Sequence, residues 1–428
     1  MLIKNGLVID PTNQLEAVQD IYIKNGKIVK VQDFIDETQL ADNEYIIDAK
    51  GYWVMPGAID LHVHLREPGF EHKETIETGA RSAAKGGVTT ICAMPNTNPA
   101  VDSKETVEFI YSQAAKYSVV HVLQVGAITK GQEGIVLADI KEMKEAGICA
   151  ISEDGKSVMD SKLLSEAMMI AKELDIPVLS HCEDEALAGG SMNEGKVSKM
   201  LGLPGIPKEA EDIIASRDIK IAASLNSKIH LCHVSTKGSG KLIKYSKEQG
   251  IKVTGEVCPH HFTLTEEDVD GVNTNTKMNP PLREVEDVQY LKEAIRDGVI
   301  DAIATDHAPH QADEKAKSYV DAPNGIIGLE TMIPLTITEL LNQGYLTKST
   351  MVERLSVGPA KILGIDKGHL SIGAVADITI IDPVDVYIIK EEDIASKSKN
   401  TPFIGKEVQG RVKYTIVDGE IAYQHKKI

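Results

Sequence analysis

Between about residue 56 and residue 365, apolar strand-like runs alternate with stretches in which apolar residues recur every three or four positions. Strands are predicted near 57–64, 88–94, 119–126, 147–152, 176–181, 229–234, 251–258 and 301–306. Helices are predicted between them, such as Ser161 to Leu174 and Ala210 to Leu225. A period that switches from two to about 3.6 and back marks strand, helix and strand in turn. That succession implies an α/β fold of parallel strands joined by helical crossovers. Eight units over roughly 300 residues predict a (β/α)8 TIM barrel. A doubly wound open sheet is the alternative, but no Gly-x-Gly-x-x-Gly follows the first strand.

The texture differs at both ends, where residues 1–55 and 366–428 read as short strands with tight turns. Asn25-Gly26, set between alternating apolar residues, predicts a hairpin, and Asn5-Gly6 carries the same turn signal. Ala376 to Asp382 predicts a strand, and Val412 to Tyr423 a hairpin around Asp418-Gly419. Neither end offers much core alone. The expected organisation is therefore a small β-sandwich made by the N- and C-terminal segments, 1–55 and 366–428, beside a barrel of residues 56–365.

Composition narrows the function. A chain of 428 residues, 42% hydrophobic and 26% charged, has ordinary soluble composition and ample core material. Its formal net charge of −18 argues against nucleic-acid or anionic-membrane partners, which need a basic surface. A small anionic substrate stays open, because local arginines can outweigh a distant field. No run approaches the roughly 20 apolar residues of a membrane helix. The N-terminus lacks the basic-then-apolar pattern of a signal peptide, so a cytoplasmic location is expected. Cys92, Cys149, Cys182, Cys232 and Cys258 are scattered in apolar stretches, as expected of reduced core residues. Alternation should turn Cys182 and Cys232 away from the neighbouring candidate ligands.

The candidate chemistry sits at the predicted strand ends. The first strand runs through Asp60, His62 and His64, which alternation places on one face, and closes on Pro68-Gly69. A lone His-x-His is more often a hydrogen-bonded pair than a metal site. Here, however, Asp154 ends the fourth strand, His181 the fifth, His233 the sixth and Asp306 the eighth. Barrel enzymes work at the C-terminal ends of their strands. Convergence of these imidazoles and carboxylates there suits a divalent metal such as zinc.

Several segments together resemble the amidohydrolase superfamily, and within it the bacterial class I dihydroorotases. They are His62-Val63-His64-Leu65-Arg66-Glu67-Pro68-Gly69, Met94-Pro95-Asn96-Thr97, Ser152-Glu153-Asp154-Gly155, His181-Cys182-Glu183, His233-Val234-Ser235, Met278-Asn279-Pro280-Pro281-Leu282-Arg283 and Thr305-Asp306-His307-Ala308-Pro309-His310. The resemblance implies a zinc enzyme interconverting N-carbamoyl-L-aspartate and L-dihydroorotate in pyrimidine synthesis. It implies two Zn2+ per subunit: one on His62, His64 and Asp306, the other on His181 and His233, with Asp154 bridging. A carboxylated Lys156 is the competing bridge, disfavoured because Gly155 marks the strand's end. A homodimer acting on a small-molecule substrate, without nucleic acid or membrane, is the family expectation.

Opening an unactivated cyclic amide at neutral pH needs a nucleophile and an electrophile. A bound metal supplies both, lowering the pKa of water from about 16 to about 7. Asp306, beside that nucleophile, is expected to carry the proton to the departing ring nitrogen. Arg66 is expected to pair with the substrate carboxylate. The resemblance adds His64, Asn96 and His310 around the substrate, Asn279 at the ring, and Asn324 and Gly325 as backbone contacts. The family usually has Pro-Phe-Gly where this chain has Pro323-Asn324-Gly325. The segment Pro309 to Gly325 is expected to close over substrate. Asp60 either orients a ligand or is merely buried. His260, His261 and His307 are expected to stay outside the ligand set, and His72, His121, His230, His369 and His425 receive no role. The other readings are an allantoinase or dihydropyrimidinase-like enzyme, and a non-catalytic subunit on the same barrel.

Overall fold

Eight parallel strands pair in chain order in a computed structural model that describes residues 1–39 and 44–425. They are Ala58–Val63, Val88–Ala93, His121–Ala127, Ala150–Ser152, Val178–Ser180, Ile229–Leu231, Val253–Val257 and Ala302–Ile303. The ring closes between the first and last: His64 N–H donates to His307 O at 2.9 Å, and His307 N–H to His62 O at 3.3 Å. Helices such as Ser161–Glu173 and Glu209–Leu225 cross back outside, burying their apolar stripes on the strands. Covered on both faces, the strands carry near-continuous apolar runs, which is why they are legible in the sequence. The eighth strand is shorter than the predicted 301–306, because the chain leaves the ladder before Asp306, at φ 49°.

Both ends of the chain build one mixed sheet. Trp53–Pro56 pairs antiparallel with the start of Ile378–Ile388, joining the N-terminal strands to the C-terminal pair Glu407–Val417 and Glu420–Gln424. Its core mixes Ile3, Val8, Ile21 and Val54 with Ile378, Ile380 and Ile416, so neither end is buried without the other. Positions 40–43 and 426–428 of the expected sandwich segments lie outside the described residues. Among the described residues no helix is long and apolar enough to cross a membrane.

The two Asn-Gly signals part company. Asn25-Gly26 forms the expected hairpin, with φ 52° and 72°. Asn5-Gly6 does not turn. Leu2–Asp10 runs through it as one strand, bulged between Ile3 and Gly6. Asn5 N–H leaves the ladder for Asp20 Oδ1 at 2.9 Å. A Cβ on Gly6 would sit 2.4 Å from Val54 Cγ2, so glycine is there for close packing.

Candidate active site

Side chains from five strand ends meet in the barrel mouth. Asp154 is at their centre: Oδ1 lies 3.1 Å from His62 Nε2, 3.6 Å from His181 Nδ1 and 3.7 Å from His233 Nε2. Its Oδ2 lies 3.5 Å from His64 Nε2. Asp306 Oδ1 lies 3.0 Å from His64 Nε2 and 3.6 Å from His62 Nε2, while His181 Nδ1 and His233 Nε2 are 2.9 Å apart. Backbone twists aim several of these groups inward. His233 at φ 35°, Asp306 at φ 49° and Arg66 at φ 63° all occupy the left-handed region. Such strain costs roughly 1–3 kcal/mol per residue and tends to gather at functional sites.

Partners behind the cluster set the tautomers. His62 Nδ1–H donates to Glu256 Oε1 at 3.0 Å, and His64 Nδ1–H to Asn96 Oδ1 at 2.8 Å, leaving both Nε2 lone pairs facing the carboxylates. Glu183 Oε2 lies 3.3 Å from His181 Nε2 and accepts Asn279 Nδ2–H at 3.0 Å. Glu256 also lies 3.1 Å from His230 Nε2 and accepts His233 N–H at 3.3 Å. Burial alone would raise the Glu256 carboxyl, but His230 and His62 overcome this and bring it down to about 2. Sequence reading missed Glu256 and gave its partner His230 no role. The signal was an acidic residue inside the apolar run Val253-Thr254-Gly255-Glu256-Val257.

The donor set fits a divalent cation. His62 Nε2 and Asp154 Oδ1 are fully buried and lack a hydrogen-bond partner. A lone pair 3.1 Å from a carboxylate oxygen is repulsive unless a proton or a cation lies between them. Burial would lower His62, yet Asp154 holds it well above its ordinary value; burial would raise Asp154, yet His62, His181 and His233 hold it well below. The field that would trap a proton there is the field that would hold a metal. His62, His64 and Asp306 form one group with ligand atoms within 4.8 Å of each other, and His62, Asp154 and His233 another. Replacing Glu256 with Gln should weaken metal binding about 10–100-fold, since it removes the charge behind His62. Equilibrium dialysis against a chelator reads this directly, and unchanged affinity would deny Glu256 that role.

The remaining expectations sort clearly. Lys156 is exposed and donates Nζ–H to Gln132 O at 2.9 Å, outside the cluster. His307 stays outside, as expected, its Nε2 3.4 Å from Glu74 and its Nδ1 accepting Gly328 N–H. Asp60 touches backbone and a threonine: it accepts His62 N–H, Thr305 N–H and Thr305 Oγ1–H, tying the first strand to the eighth. Burial raises it to about 6. Cys232 does not turn away from the cluster. It lies within 4.8 Å of His62 and Glu256, because the left-handed His233 breaks the alternation. Cys258, His260 and His261 form a further buried group outside the cavity wall. All five cysteines are free.

A cavity of about 300 Å³ opens over the cluster. Besides His64, Asp154, His181, His233 and Asp306, its wall holds Arg66, Asn96, Asn279, His310, Asn324 and Gly325. Arg66 is half-buried, with Nε donating to Pro309 O at 3.3 Å and Nη2 lying 3.4 Å from His310 Nε2. Burial, then Arg66 and Lys73, bring His310 down to about 3, so it is neutral near pH 7. Gly325 has no free backbone group to offer: its N–H donates to Lys277 O, and its C=O accepts from Lys315 Nζ and Asn400 Nδ2. At φ 112°, with a Cβ only 2.6 Å from that of Ala308, the position requires glycine. The segment expected to close over substrate is hydrogen-bonded to two lysines in this structure. Lys277 Nζ donates to Val320 O and Ala322 O, and Lys315 Nζ donates to Pro323 O.

Comparison with known proteins agrees with this architecture. Residues 51–239 match the family model "Dihydro-orotase-like", and residues 267–423 match "Amidohydrolase family". A dihydroorotase of Endomicrobium trichonymphae is 48% identical over 424 residues, and one of Geobacter sp. (strain M21) is 47% identical over 425, each covering 99% of both chains. Among solved structures, L-hydantoinase from Arthrobacter aurescens superposes with a TM-score of 0.89 at 25% identity, covering 100% of this chain and 96% of that one. High identity along the full length, with the barrel and its mouth in place, settles membership: the chain belongs to the dihydroorotase-like family of amidohydrolases.

Proposed function

We propose that this protein is a dihydroorotase, interconverting N-carbamoyl-L-aspartate and L-dihydroorotate in de novo pyrimidine synthesis. The observation that carries this reading is the cationic Arg66, placed with Asn96 and His310 on the wall above the His–Asp cluster. Dihydroorotate carries a carboxylate, and a guanidinium binds one through two parallel hydrogen bonds. Burial lowers Arg66 to about 10, so it keeps its charge at neutral pH.

In this reading His62, His64 and Asp306 would hold one zinc ion, His181 and His233 would hold a second, and Asp154 would contribute to both. When bound, such ions supply an acidified water and polarise the amide carbonyl. The chain's own residues do the rest. Burial opposes ionisation of Asp306, but His64, His62 and His233 hold it well below the usual carboxylate range, so it rests as a base. It takes the proton of the attacking water and passes it to the departing ring nitrogen; in ring closure it removes the proton of the ureido nitrogen. Arg66 and neutral His310 anchor the substrate carboxylate, Asn96 supports it, and Asn279 meets the ring. Asn324 and Gly325 shape the rim. We further propose sandwich segments 1–55 and 366–428 flanking barrel 56–365, and a cytoplasmic homodimer, which sedimentation would test.

The likeness to L-hydantoinase favours a second reading, opening of cyclic amides that lack the carboxylate. Turnover of L-dihydroorotate beside hydantoin and dihydrouracil separates the two. Dihydroorotate is expected to be the preferred substrate, and Arg66→Lys to lower its kcat/KM about 10–100-fold, chiefly through KM. Preference for hydantoin would overturn the assignment.

A further inference from the structure

The substrate wall is tied to a segment outside the barrel. A strap of residues 395–400, arriving from the C-terminal sheet, runs along Glu330, Glu74 and Lys73 and ends at Asn400. Ala395 N–H and Ser396 N–H donate to Glu330, Ser396 Oγ–H and Lys397 N–H to Glu74, and Ser398 Oγ–H to Lys73 O. Asn400 is only 5% exposed and its amide is used in full. Its Oδ1 accepts His310 N–H at 3.0 Å, while Nδ2 donates to Ala308 O at 2.9 Å and to Gly325 O at 3.1 Å. Its backbone O accepts Ile327 N–H at 2.9 Å.

These bonds join two edges of one cavity. Residues 308–310 carry His310, the neighbour of Arg66; residues 325–327 run alongside them, following Asn324 of the same wall. Ala308 N–H to Ile326 O at 2.8 Å and Gly328 N–H to His307 Nδ1 at 3.1 Å also join these two stretches, but neither involves His310 or Gly325. The three side-chain bonds of Asn400 extend that tie to Ala308 O, His310 N–H and Gly325 O. We infer that Asn400 is a positioning residue: from outside the barrel it sets the spacing between His310 and the 324–325 rim, and so tunes how tightly the substrate carboxylate is held. This rests on the dihydroorotase reading above. Asn400 touches no group of the His–Asp cluster, so its effect belongs in binding rather than in proton transfer.

The test is steady-state kinetics of Asn400→Ala on the metal-loaded enzyme, with metal content and melting temperature measured alongside. The expected result is a KM for L-dihydroorotate raised about tenfold or more. Expected with it are a kcat within about threefold of wild type and unchanged metal content. Ser398→Ala, which loosens the strap without touching His310 or Gly325, should leave KM in place. Should Asn400→Ala fail to fold, the isosteric Asn400→Asp decides by the same criteria. It keeps the acceptor for His310 N–H, loses both donors and sets a carboxylate against two carbonyls. An unmoved KM in a folded variant overturns the inference, as does a fall in kcat and metal content together. Wild-type enzyme inert on dihydroorotate would instead remove the reaction itself.

Discussion

Asp306→Asn is expected to lower kcat/KM for dihydroorotate by about a thousandfold or more, with the fold intact and most of the metal retained. General acid–base groups contribute roughly 10²–10⁴ in rate. Asparagine keeps the shape and one oxygen of the side chain but can neither take nor deliver the proton. The lost charge adds to the damage, because Asp306 Oδ1 lies within 3.6 Å of two imidazole Nε2 atoms. Measuring kcat and metal content on the same preparation separates the two effects. Near-wild-type turnover would take Asp306 out of proton transfer and leave it a ligand at most.

Asp154→Ala should fail differently, by losing metal first. This carboxylate lies within 3.1–3.7 Å of nitrogens on His62, His64, His181 and His233. Both histidine pairs, His62 with His64 and His181 with His233, thus converge on this one side chain. Its removal leaves buried imidazoles facing one another, with Asp306 as the remaining carboxylate on the cluster side of His62 and His64. Removing a group merely behind a ligand costs about 10–100-fold in metal affinity, so removing a central one should cost at least about a hundredfold. Metal analysis after dialysis reads this, and activity should follow metal content. A variant that kept its full metal content would move the bridge elsewhere, and Lys156, exposed and bonded to Gln132 O, would need to be re-examined.

The molecule shows where a one-dimensional reading succeeds. Strands covered on both faces must be apolar, and a chemical residue at such a strand's end stands out against that background; His62, His181 and Asp306 were visible for this reason. Asn25-Gly26 was read correctly because its neighbours pair locally. Asn5-Gly6 was misread because Asp20 and Val54, neither of them a close neighbour in sequence, decide what that dipeptide does. Cys232 was turned the wrong way because one left-handed residue, His233, undoes strand alternation.

By itself the order of residues determined the barrel, the paired ends and the chemical types gathered at the mouth, since hydrophobic periodicity and residue chemistry are local properties of the chain. Tertiary structure alone decided which nitrogens of His62 and His64 face the carboxylates, because Glu256 and Asn96 set that through hydrogen bonds spanning 194 and 32 positions. It alone decided that Asn400, ninety residues beyond His310, braces the substrate wall. Such contacts leave no periodic trace in sequence: a single amide satisfied across a fold looks, along the chain, like any other surface asparagine.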